Sequence, residues 1–263
     1  MAVKTWTGTT SSDVTVSTNW SPVNQPTALD DVIITGTVAI TGAVLSASGD
    51  LASFTIRDYS GAIGSASTPL TVDLAASSAV SIDTSGKAYI DFNASSVNVS
   101  VQGTQASTGT ARGLHLSGAG VDDLNVYGSS SVLLLETIDV DINTYDSGVS
   151  ITTDEAADAI NFTGPGALTA YGSLTNIFAS GSEVNYYGSG ALTTVQAESG
   201  AVVNHWSGAA ITNANAYGGT ISGTNSNETL TVTNTGVRTG GTIRPGRNWT
   251  VTNNPSDGYS ITA

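Results

Sequence analysis

The stretches that decide the fold are EVNYYGSGALTT, residues 183–194, and VVNHWSGAAITN, residues 202–213, because one maps onto the other. In that alignment Val184 meets Val203, Asn185 meets Asn204, Tyr186 meets His205 and Tyr187 meets Trp206. The Tyr-Gly steps at Tyr127 and Tyr171 are separated by close to two units of about 22 residues. Repeats of this length, each holding two or three short strands, suit a parallel β-helix in which every coil stacks on the one before.

The rest of the chain has the same texture. Runs such as DVIITGTVAI, LTVDL, AYIDF, SVNVSVQG, IDVDIN, AINFTG and TLTVTN alternate apolar with small polar residues, the period-two signature of half-buried strands. Gly, Ser, Asn and Asp between them supply turns. No window shows an apolar stripe at helical spacing, and the one helix candidate, TDEAADAI at 153–160, is only about two turns long. Some ten coils of about 20 to 24 residues, at about 4.8 Å between strands, would build a rod roughly 50 Å long. The expected fold is all-β: a right-handed parallel β-helix with capped ends, one elongated domain.

Composition agrees. Charged residues are 11% of the 263-residue chain and hydrophobic ones 39%, too apolar for disorder and too poor in charge for an ordinary globular surface. There is no cysteine, which removes disulfides and thiolate metal sites and leaves packing and backbone hydrogen bonds to hold the fold. No stretch of about 18 apolar residues occurs, and the start, MAVKTWTG, has no apolar run of signal-peptide length.

The net charge of −14 is unevenly spread. Residues 113–237 hold twelve acids and no Lys or Arg, whereas Arg238, Arg244 and Arg247 stand against Asp257 alone in the segment 238–263. So acidic a body repels phosphates, and nucleic acid is not expected as a partner.

The ends differ from the middle. Pro22, Pro26, Pro245 and Pro255, with Trp6, Trp20 and Trp249, all lie within 1–26 or 245–263. A solenoid must cover the edge of its first and last coil; proline blocks strand addition and tryptophan covers a core with one side chain. We therefore read residues 1–36 as an N-terminal cap leading into the solenoid, 37–237 as its body and 238–263 as a basic C-terminal cap. The order Trp6-x-Gly8, then Asn19-Trp20-Ser21, then Pro26, then Asp30 to Ile34 resembles the opening of repetitive β-helical proteins of bacterial surfaces and phage virions, of the fibre, tailspike or decoration kind. The resemblance spans about 30 residues and implies a β-helix start; the lack of a signal peptide favours the phage members.

Constellations that could carry chemistry are few. Asp139 and Asp141 in TIDVDIN would point outward about 6.5 to 7 Å apart, a spacing that permits acid and base work. The surrounding section has no base to bind or deprotonate an acidic sugar, so solvated surface is the simpler reading. Asp30-Asp31, Asp122-Asp123 and Asp154-Glu155 are adjacent pairs whose side chains would diverge on a strand and would cap or hold calcium in a turn, and no dense calcium loop occurs. His115 and His205 read as structural, and no nucleophile elbow, Walker, Rossmann or HExxH pattern is present. Neither cofactor nor metal is expected. Tyr186, Tyr187, His205 and Trp206 would stack pairwise, one pair outside, as internal stacking, a subunit contact or a glycan platform. Threonine is frequent but forms no constant-phase ladder of the ice-binding kind. Arg238, Arg244 and Arg247 either pair with local carboxylates and carbonyls or dock the rod to an acidic partner.

The function expected from these features is that of a non-enzymatic structural phage virion protein, a homotrimeric capsid decoration or fibre component that meets other virion proteins and neither nucleic acid nor membrane. A glycan-binding or depolymerising tailspike-like domain is the alternative, and a secreted bacterial adhesin the third.

Overall fold

Alternation with period two puts every second side chain of a strand on one face, and in this protein that face is the interior of a β-solenoid. The structure, a computed structural model, describes residues 2–45, 49–94, 96–102, 113–118, 120–128, 131–134, 139–145, 149–153, 157–224 and 226–253. It divides into two units, Met1–Thr137 and Ile138–Ala263, which together hold about ten turns. The described residues contain no α-helix, only one 3-10 turn at Ser17–Asn19.

In the first unit one sheet is built from the strands Val3–Trp6, Asp31–Gly36, Leu51–Tyr59, the second half of Leu70–Thr84, Val97–Gln102 and Val121–Val126. Successive partners are parallel but unevenly spaced: Val3 pairs with Asp31, Asp31 with Ser53, Ser53 with Ala79, Ala79 with Asn98 and Asn98 with Asp123. The longest of these turns, Val3 to Asp31, exceeds the expected coil, and the shortest, Ala79 to Asn98, falls just below it. The strand Leu70–Thr84 serves two sheets, bending at Ser77, which takes the left-handed φ of 62° that such a corner needs.

Strand pairing in the second unit is more regular. On its first sheet Ala159, Asn176, Thr194, Asn213, Asn234 and Asn253 stand in line at nearly even steps, the shortest from Ala159 to Asn176 and the longest from Asn213 to Asn234. The strands Ser150–Thr153, Ala167–Ala170, Glu183–Tyr186, Val202–His205, Thr220–Ser222 and Thr242–Arg244 form its second sheet. Three first-sheet strands, LTNIFAS (174–180), LTTVQAE (192–198) and ITNANAY (211–217), share one burial pattern: the first, fourth and sixth residues are buried. Leu174, Leu192 and Ile211 thus point inward from a corner, three positions ahead of Ile177, Val195 and Ala214, so alternation restarts out of phase. Branched aliphatics and alanine fill the interior at close to zero exposure throughout, the narrow core that burial of apolar surface requires.

The short helix read over 153–160 is not formed. Thr153 ends the strand Ser150–Thr153, Ala157–Thr163 is a strand, and residues 154–156 lie outside the described residues. Ile160 and Phe162 are fully buried between the parallel neighbours Asp139–Thr144 and Leu174–Ser180, and this pairing overrides the helical propensity of a few alanines and acids.

Candidate functional site

At the N-terminal cap, Val3–Trp6 pairs antiparallel with Trp20–Ser21, placing Trp6 opposite Trp20. Both rings are buried and meet edge to face at 5.4 Å. Trp20 Nε1 donates to the Val14 carbonyl (2.8 Å). Asn19, with no exposed surface, accepts from the amides of Thr10 (2.8 Å) and Ser11 (3.0 Å) and donates to Ser11 Oγ and the Asp13 carbonyl (both 2.9 Å). Asp30 is buried and receives the amides of Ala2 and Thr27 and the Thr27 hydroxyl. Burial pushes its carboxyl up, but these hydrogen bonds outweigh that and hold it below the usual carboxylate range.

The aromatic pairs of the second unit separate by face. Val184 and Val203 point inward, and two positions later so do Tyr186 and His205, with 0% and 1% exposure and rings 5.3 Å apart. Neither can meet a ligand or subunit arriving from solvent, so Tyr186 and His205 are the inward pair and Tyr187 and Trp206 the outward one. The same-face rule over Val184-x-Tyr186 could have placed them. His205 also meets the edge of Trp249 (5.8 Å), and neither of its ring nitrogens has a hydrogen-bond partner, nor has Trp249 Nε1. Burial pushes the imidazole down to about 4; the backbone near it at Ser207, His205 and Ala209 lies outside hydrogen-bond geometry and offsets only a small part of this. The Trp249 ring lies so close over Gly223 that a Cβ there would sit 2.0 Å from Cζ2.

Outside, Tyr171, Tyr187 and Trp206 form a three-ring ladder on consecutive turns, with centroids 5.2 and 5.8 Å apart and planes within 21° and 7° of parallel. Asn204 donates to Asn185 Oδ1 (3.0 Å), as does Trp206 Nε1 (3.2 Å), and Asn185 donates to Glu183 (3.1 Å). Tyr187, in the middle, has a ring against each face, whereas Tyr171 and Trp206 at the ends each have one ring neighbour. In the first unit His115 stacks on Tyr89 at 4.1 Å, and the Lys87 ammonium lies over the Tyr89 ring.

Asp141 is exposed and accepts from Asn161 Nδ2, one rung of an outward ladder. Asp139 lies on the same strand opposite Ala159, and its side chain is outside the described residues, as are Asp154, Glu155, Pro255 and Asp257. Among the described residues no three His, Asp or Glu side chains converge as a metal site would require. Arg238 stacks over Tyr217 (5.6 Å), and Arg244 and Arg247 are exposed with no ion pair among the described residues.

A shallow depression of about 170 Å³ opens on the first sheet of the second unit, lined by Asn161, Thr163, Phe178, Ser180, Gln196 and Glu198. Sequence reasoning missed Phe178. The signal was there: in LTNIFAS, LTTVQAE and ITNANAY it fills the outward position that Gln196 and Asn215 occupy on the following turns.

Comparison with known proteins finds no matching family, no matching curated relative and no matching solved structure.

Proposed function

We propose that this chain is a non-enzymatic structural protein, a β-solenoid component of a phage particle that decorates the capsid or forms part of a fibre, assembled as a homotrimer. The observation that carries the structural part is the ladder arrangement of outward polar groups. Asn253 donates to Asn234 Oδ1 (2.9 Å) and Asn234 to Asn213 Oδ1 (3.0 Å), while Asn204 and Asn185 repeat the contact on the second sheet. Side chains satisfied by their equivalents on the next turn stiffen a stack; a catalytic centre instead aims unlike groups at one point. The phage assignment is supported by the resemblance of the opening segment. For docking, Arg244 and Arg247 offer planar forks suited to carboxylates on an acidic partner such as a capsid lattice.

Labelled antibody imaging on intact particles tests the reading, with sedimentation to give the subunit number. Decoration of the particle surface is expected, and the Arg238→Gln, Arg244→Gln, Arg247→Gln variant is expected to attach more weakly and with less sensitivity to salt. Particles that carry none of the protein would sink the proposal.

A further inference from the structure

We infer that the depression around Phe178 is a binding site for a neutral sugar residue. Three features carry this. First, Phe178 breaks a ladder: its register partners Asn161 and Gln196 bear amides, and it has no ring partner among the described residues. It is half-buried, so part of its ring surface forms an apolar wall of the depression. The Tyr171, Tyr187 and Trp206 rings, by contrast, stack on one another.

Second, the polar groups match hydroxyls. Asn161 and Gln196 can donate and accept beside that wall, Glu198 can accept, and Thr163 and Ser180 add hydroxyls at its rim. Gln196 Nε2 donates to Glu198 Oε1 (2.6 Å), which fixes amide and carboxylate side by side. Asn161 is fixed in turn by its bond to Asp141. An apolar surface with a few convergent polar groups is the usual composition of a small-molecule site. At about 170 Å³ it is smaller than the roughly 300–1,000 Å³ of pockets for drug-sized ligands, so it takes one ring rather than an extended segment.

Third, charge selects the class. Glu198 lines the site, Asp141 stands one turn from Asn161, and residues 113–237 contain no Lys or Arg. Arg238, on the strand two turns beyond Gln196, stacks over Tyr217. Uronates, sialic acids and sulfated or phosphorylated sugars would be repelled.

The inference stands apart from the virion assignment, since it is tested on the purified full chain in solution. Isothermal titration with neutral malto-, cello-, manno- and galacto-oligosaccharides, and with oligogalacturonate as the acidic counterpart, is the experiment. At least one neutral series is expected to bind at roughly millimolar Kd, as one ring on an open surface allows, with no oligogalacturonate binding. Phe178→Ala should weaken that binding at least tenfold with an unchanged melting curve, and Trp206→Ala should leave it unchanged. Should Phe178→Ala fail to fold, Thr163→Trp, which fills the depression from an exposed position, should abolish binding instead. Failure of every neutral series, equal binding of oligogalacturonate, or undiminished binding by folded Phe178→Ala or Thr163→Trp would overturn the inference.

Discussion

The N-terminal cap and the region around Trp249 both place tryptophan against the core, by opposite means. Around Trp20 the polar atoms that come with burial have partners: the indole nitrogen reaches Val14, and Asn19 makes four hydrogen bonds. Trp6 Nε1 is the exception. Around Trp249 the indole and both imidazole nitrogens of His205 are buried without partners, and contact is made by ring edges and glycine backbone. The first arrangement is specified by hydrogen-bond geometry and the second by shape alone. An unsatisfied buried polar group costs about 1–3 kcal/mol, so the second region is the weaker.

The largest break in this comparison should come from Trp20→Ala, which removes a fully buried indole and its bond to Val14. A loss of about 3–5 kcal/mol is expected by urea unfolding; a loss of less than a third of that would show that the cap is not part of the cooperative core.

Acid should separate the regions next. His205 titrates near 4 folded and near 6.5 unfolded. Between those values the unfolded chain takes up a proton that the folded one refuses, so stability is full above pH 6.5 and declines as pH falls towards 4. The total is about 3 kcal/mol for this one group. Asp30, held below its ordinary value, contributes stability that is lost only as pH falls further, through its folded value. His205→Phe should therefore flatten the stability profile between about pH 6.5 and 4.5 relative to the parent chain; an identical slope in the two would mean the imidazole is solvated.

Asn19→Ala should cost roughly 2–3 kcal/mol by leaving the Asp13 carbonyl and two amides short of partners. Thermal melting checks it, and a cost near zero would mean that water replaces the side chain.

The smallest effect is expected at Gly223. Gly223→Ala drives a methyl into the Trp249 ring, and since that ring is held by no hydrogen bond it can shift, for about 1–2 kcal/mol. Tryptophan fluorescence should report the displacement; an unchanged spectrum would contradict the close contact.

Much of the architecture was legible in the sequence. Alternation marked the strands, and the alignment of Tyr186 with His205 is the register of their strands. The absence of cysteine left packing to hold the fold. Period two gives the spacing of faces but not which face is inward, and each corner can reset the phase. Leu174 and Ile177 both point inward at a spacing of three; the aligned runs LTNIFAS, LTTVQAE and ITNANAY repeat that spacing, but the stacked turns decide that Leu174 faces the core and Phe178 lies outside. Turn length was likewise a tertiary decision. In the second unit successive turns keep nearly one length and their outward ladders stay in line; in the first, the 3-10 turn Ser17–Asn19 and the antiparallel strand Trp20–Ser21 lengthen the segment between Val3 and Asp31. Corner loops lie outside the ladder, so sequence periodicity weakens there while the stacked strands, bound by backbone hydrogen bonds to the turn before, keep their register.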